Sequence, residues 1–232
     1  APAEKFGKVR HSVAMLSLDN AFDADDARAF VQRVQRFLNL TTPSVITAEP
    51  KIDGLSASLR YENGKFVQGA TRGDGREGED VTANLWTIAD IPHAIKGAPG
   101  VLEVRGEVYM EKAAFAKMNA ALEKDGKQTY VNPRNSAAGA LRQLDAKITA
   151  SRPLRFFAHG WGALSEPLAE TQFDAMHRLQ KLGFPLAGIV RCKDAEALLV
   201  QYEKIHEGRQ KLPYEIDGVV YKVDSLALQQ RL

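Results

Sequence analysis

Cysteine is almost missing from this sequence: Cys192 stands alone among 232 residues. That excludes an internal disulfide and a cysteine-rich zinc site, and it favours a reducing compartment, so the cytoplasm is the expected location. Long apolar runs are missing too. None approaches the roughly 20 residues that span a bilayer, so no membrane partner is expected. Ala1-Pro2-Ala3-Glu4-Lys5 has no apolar stretch behind its charge and does not read as a signal peptide. A surplus of one charge is also lacking: 31 basic residues against 29 acidic ones leave a formal net charge of +2. Any phosphate-binding surface must therefore come from local clustering. There is no internal repeat and no low-complexity tract. What remains, 44% hydrophobic and 26% charged residues, is ordinary for a globular protein.

The periodicity changes along the chain. Residues 1–22 read as extended or irregular. Asp23 can cap a helix reaching about Leu38, because Ala27, Phe30, Val31, Val34 and Leu38 recur at three- and four-residue steps. Residues 41–48, with Pro43, link it to a strand. From Lys51 the period is two: Leu55, Ala57, Leu59 and Tyr61 alternate with Ser56, Ser58, Arg60 and Glu62. Asn63-Gly64 then predicts a hairpin turn, since both residues tolerate positive φ. Lys65–Ala70 is the return strand, and the polar, glycine-rich Thr71–Asp80 predicts a loop. Residues 101–110 alternate again, with Leu102, Val104 and Val108 on one face and Glu103, Arg105 and Glu107 on the other. Helices are expected at 112–124, 134–143, 171–182 and 194–207, with Gly183 as a helix C-terminal cap, and strands at 154–160 and 216–223. Strands and helices mix without regular βαβ alternation. This predicts an α+β fold with antiparallel sheets.

Three short strings carry chemistry. In Glu49-Pro50-Lys51-Ile52-Asp53-Gly54, Lys51 and Asp53 share a face if the segment is extended. A lysine is a nucleophile only when deprotonated, so nearby cations or desolvation would be needed; the plain alternative is a solvated lysine. In Val104-Arg105-Gly106-Glu107-Val108, Glu107 either accepts a ribose hydroxyl or pairs with Arg105 or Lys112. In Glu215-Ile216-Asp217-Gly218-Val219-Val220-Tyr221-Lys222, charges sit in an apolar strand that reads as buried, which requires a partner or a ligand. The plain alternative there is an Asp217–Lys222 ion pair.

In this order the three strings resemble the covalent nucleotidyltransferases: DNA ligases, RNA ligases and capping enzymes. That resemblance implies a fold of antiparallel sheets flanked by helices, ATP-grasp-like, with the nucleotide pocket between them. It implies that Lys51 carries the nucleotide, Glu107 binds ribose and Lys222 reaches the phosphate. His11–Asn20, Ala70–Thr82 and Asn132–Gln143 narrow the likeness to the bacterial NAD-dependent DNA ligases. ATP-dependent relatives, the runner-up, lack this set. By this resemblance residues 1–232 are the adenylation domain. Ser17 and Leu18 contact the dinucleotide, Glu49 holds the adenine and Arg72 reaches the nucleotide; Asp53 and Asp217 are counted with the cofactor-binding residues, and any action of theirs on the metal is expected to run through water. Arg134, Arg142 and Arg209 hold phosphates of nicked double-stranded DNA, the alternative being solvated arginines. NAD and magnesium (or manganese) are the implied cofactors, with no metal held by side chains of this chain and zinc only in a module it does not contain.

The family's proteins are longer. The small segment that captures nicotinamide mononucleotide, the OB fold with the last catalytic lysine, the zinc module, the helix-hairpin-helix and the terminal interaction domain are not expected here. The chain is expected to be a monomer, to bind adenine nucleotides, to self-adenylate from NAD poorly or not at all, and not to seal nicks. A binding module without activity is the remaining alternative, against which Lys51, Asp53, Glu107 and Lys222 are all intact.

Overall fold

The computed structural model describes residues 5–18 and 23–232. Helix α1 (Ala24–Phe37) starts where the Asp23 carboxylate accepts the Asp26 N–H, an N-cap, and buries Ala27, Val31 and Val34 at helical spacing. The chain then turns through Asn39, φ 54°, into β2 (Ile46–Ile52), the middle strand of an antiparallel three-stranded sheet between β8 (Val190–Cys192) and β9 (Ile216–Val223). The strand therefore begins inside the segment read as a linker. Ile46 and Ala48 pack with α1, Cys192 and Leu198 of α7 (Ala195–Gly208) into a small core. Glu49 and Lys51, one and three residues past Ala48, leave on the opposite face.

The second sheet has four antiparallel strands in the order β4-β3-β6-β7: β3 (Leu55–Glu62), β4 (Lys65–Thr71), β6 (Val101–Met110) and β7 (Leu154–Leu164). Asn63 and Gly64 close the β3–β4 hairpin at φ 48° and 74°, as the Asn-Gly pair requires. One face carries Ala57, Leu59, Tyr61, Leu102, Val104 and Val108, all fully buried. Over it lie α4 (Pro133–Leu141) and α6 (Gln172–Lys181), giving the main core through Ala137, Leu141, Met176 and Leu179. The other face is polar: Ser56, Ser58, Arg60, Glu103, Arg105 and Glu107.

Several short elements differ from the sequence expectation. The stretch read as a loop contains β5 (Glu77–Glu79), which pairs with β1 (Lys8–Arg10). Its composition is polar because it pairs backbone to backbone over the surface, not through an apolar face. Also unexpected are β8, α2 (Thr82–Leu85), α5 (Ala146–Ala150) and α8 (Leu226–Gln229); three to five residues are too few to carry a period. Strand β7 runs on to Leu164, and β9 is half-buried, not buried, because one of its faces looks into a cavity. The longer helices, including α3 (Lys112–Lys124), fall where expected. Gly183, φ 108°, terminates α6. Among the described residues, no helix is long and apolar enough to cross a membrane.

Candidate active site

Between the polar face of the four-stranded sheet and the inner face of β2 and β9 lies a cavity of about 420 Å3. This is the size range of small-molecule sites. Lys51, Asp53, Glu49, Glu107, Asp217 and Lys222 all line it, as do Ser17, Leu18, Arg72 and Arg134.

A β-bulge sets the group nearest Lys51. Lys51 pairs with Gly218 but Ile52 pairs with Ile216, so Asp217 is the extra residue on β9. By strict alternation Asp217 would follow Val219 and Tyr221, which pack on the opposite side with α1 and α7. The bulge brings it onto the cavity, where its Oδ2 lies 2.9 Å from Lys51 Nζ. The plain alternative, an Asp217–Lys222 pair, is therefore not formed. Lys222 Nζ instead donates to Glu49 Oε1 at 3.0 Å and to the His159 carbonyl at 2.6 Å, tying β9 to β2 and β7. Glu49 is the deepest of these carboxylates, 6% exposed.

Glu107 does not pair with Arg105 or Lys112. Its Oε2 accepts from Ser56 Oγ at 2.9 Å and lies 3.7 Å from His159 Nε2, while Lys112 approaches Glu215 at 3.8 Å. Strand β2 ends at Ile52, and Asp53 hangs from the next turn, its N–H bonded to the Glu215 carbonyl. Arg134 Nη1 reaches Asp53 Oδ1 at 3.5 Å. Gly54 then passes under β6: a Cβ there would lie 2.2 Å from the Val108 carbonyl oxygen. Gly54→Ala should therefore cost about 1–3 kcal/mol through forced backbone displacement. Urea unfolding checks this, and an unchanged midpoint would show that the strand gives way freely.

Burial, with Asp217 and Glu107 nearby, holds the Asp53 carboxyl above its usual range despite Arg134. A raised carboxyl pKa makes the folded state the better proton binder. Asp53 thus weakens the fold as pH rises through its folded pKa, and the penalty is absent below the unfolded value. Asp53→Asn should be more stable than the parent at pH 7, with the difference vanishing in acid. Thermal melts at both pH values test this; equal stability at pH 7 would contradict it. Such a cost is common where groups are placed for chemistry.

The arginines divide. Arg72 Nε donates to the Met15 carbonyl at 3.1 Å, so it holds the segment carrying Ser17 and Leu18 while lining the cavity. Arg142 gives Glu79 a two-pronged pair at 2.6 and 2.8 Å in the neighbouring cleft. Arg209 lies away from both, in the turn after α7, where its carbonyl accepts from Lys112 Nζ at 3.4 Å. Asp19 and Asn20, part of one string that carried the resemblance, lie outside the described residues. Sequence reasoning missed Ser56, His159, Trp161 and Leu186–Ile189 as lining residues. Ser56 faces Glu107 across the β3–β6 register, a pairing that only the sheet order reveals. Arg105, two residues before Glu107 on one face, could have been found by alternation.

The lining fits an adenine nucleotide. It combines apolar side chains (Val220, Ala158, Trp161 and Ile189), the buried Glu49 carboxylate, and the cations Lys51, Arg72, Arg134 and Lys222. Among the described residues, no group of three or more His, Cys, Asp or Glu side chains could hold a metal ion. The family model described as "NAD-dependent DNA ligase adenylation domain" matches residues 3–232. The chain belongs to this family. The proteins named DNA ligase from Dinoroseobacter shibae and Parvibaculum lavamentivorans are similar to it, at 58% identity over 235 residues and 60% over 238. Those alignments take in 100% of this chain and 32% and 33% of the relatives, so this adenylation domain spans about a third of their length. Among solved structures, a mycobacterial DNA ligase D complexed with ATP and MES aligns over 78% of this chain and 49% of its own at 17% identity, TM-score 0.44.

Proposed function

We propose that this adenylation domain charges Lys51 with AMP from NAD, as the first step of sealing nicked double-stranded DNA. Lys51 Nζ attacks the adenylyl phosphorus. A nitrogen–phosphorus bond forms, and the bond from that phosphorus to the nicotinamide mononucleotide oxygen breaks. Asp217 Oδ2, 2.9 Å from Nζ, is the nearest acceptor for the departing proton. Glu49 accepts from the adenine amine, Glu107 from a ribose hydroxyl, and Lys222 and Arg72 reach the phosphates. Ser17 and Leu18 close the rim over the dinucleotide. Magnesium or manganese would supply charge neutralisation at the phosphates when bound. The AMP then passes to a 5′-phosphate, and a 3′-hydroxyl attacks that phosphate and expels AMP, with Arg134, Arg142 and Arg209 gripping the DNA backbone. The protein's contribution is positioning and charge complementarity.

The observation that carries this reading is the pairing of a cavity-facing lysine with a bulged aspartate, beside a buried carboxylate suited to adenine. Family membership supports NAD as the donor. For this chain alone the proposal is adenine-nucleotide binding without nick sealing. Nucleotide choice tests it. Carried in a polypeptide of the relatives' full length, the domain should take AMP from NAD and lose it to nicotinamide mononucleotide, but not to pyrophosphate. Charging by ATP with discharge by pyrophosphate would contradict it.

A further inference from the structure

Residues 11–18 form a strap across the polar face of the four-stranded sheet. Three successive carbonyls of this strap are held by two guanidinium groups. Arg105 Nη1 donates to Ala14 at 3.1 Å, its Nη2 to Val13, and Arg72 Nε to Met15 at 3.1 Å. The strap is also fixed beside them: Ser12 Oγ donates to the buried Glu103 at 3.1 Å, and the Met15 N–H to the Gly75 carbonyl at 2.8 Å. Met15 is buried at 5% exposure, while Leu16, one residue on, is 83% exposed. The tied part therefore ends where the cavity rim of Ser17 and Leu18 begins.

Arg105 is unlike an ordinary surface arginine. Its Nε is buried without a hydrogen-bond partner among the described residues. Burial also presses its pKa down, against the opposing pull of Glu103. A desolvated charge of this kind is costly unless its environment compensates it, and the strap carbonyls supply the compensation. It lies on the same face of β6 as Glu107 and lines the same cavity.

We infer that Arg105 is a positioning residue for adenine-nucleotide binding, clasping the strap so that Ser17 and Leu18 stand over the nucleotide. The inference rests on the adenylation reading above. It needs no contact between Arg105 and the nucleotide. Losing the clasp leaves the cavity in place but frees its rim.

The test compares this chain with its Arg105→Gln, Arg105→Lys and Ser12→Ala variants by amide hydrogen exchange and by calorimetric titration with AMP. Arg105→Gln should speed exchange at the Met15 amide about tenfold and weaken AMP about tenfold. Arg105→Lys should recover part of both, and Ser12→Ala should move both in the same direction by less. A lowered melting temperature with unchanged AMP affinity would make Arg105 merely structural and overturn the inference. If Arg105→Gln does not fold, Ser12→Ala decides: unchanged exchange and affinity there overturn it. An unmodified chain that binds no AMP would contradict the adenylation reading itself, whereas equal AMP binding by parent and Arg105→Gln contradicts the clasp alone.

Discussion

Lys222→Met should lower the stability of the fold by about 3 kcal/mol, the low end of what stranding a buried ion-pair partner costs. It should also abolish measurable binding of adenine nucleotides. The partner left behind is Glu49, whose side chain is 8% exposed, whereas that of Lys222 is 23% exposed, so some water can reach the broken pair and moderate the loss. The His159 carbonyl, bonded to Lys222 at 2.6 Å, loses its donor in the same change, and the tie from β9 to β7 goes with it. Glu49→Gln should be milder, because the charge it strands, Lys222, is the more exposed partner and keeps the His159 carbonyl as acceptor. The double variant Glu49→Gln, Lys222→Met should recover much of the single variant's loss, since no uncompensated charge remains. Urea unfolding midpoints read the stability, and a Lys222→Met midpoint equal to the parent's would show that the pair has no structural weight.

The second large effect separates charge from nucleophilicity. Lys51→Arg keeps a cation facing Asp217, so the fold and the cavity's charge should persist. A guanidinium does not lose its proton in proteins, and no lone pair is left to attack phosphorus. AMP incorporation should fall on the order of 10^3-fold or more, as when other catalytic nucleophiles are removed, with the melting temperature little changed. Both side chains of the Lys51–Asp217 pair are more than a third exposed, so their attraction is largely screened. Retained AMP incorporation in Lys51→Arg would mean that another group carries the nucleotide.

Strong periods were legible in the sequence. The capped helix at Asp23, the Asn63-Gly64 hairpin and the alternation of β6 needed only local chemistry, and the structure bears them out. The grouping of Lys51, Asp53, Glu107, Asp217 and Lys222, which line one cavity, follows from the family resemblance and from no period. What could not be read was who pairs with whom. The plain alternatives, Asp217 with Lys222 and Glu107 with Arg105 or Lys112, join residues close in sequence. The true partners, Lys51 and Glu49 across β2 and β9, and Ser56 across β3 and β6, come from sheet order and from a bulge one residue long. The strap was equally illegible, because its backbone carbonyls are held by side chains 57, 91 and 92 residues further on. Glu77–Glu79 illustrates the same limit: three polar residues become a strand only because Lys8–Arg10 lies beside them.

The most direct test of the adenylation account is site-resolved peptide mass mapping after incubation with NAD and magnesium. It should be run in parallel on this chain and on this chain carried in a polypeptide of the relatives' full length. The account predicts one AMP on Lys51 in the longer polypeptide, removed by nicotinamide mononucleotide, with little or none on the chain alone. AMP on a different residue, or bound nucleotide with no covalent adduct in the longer polypeptide, would contradict it.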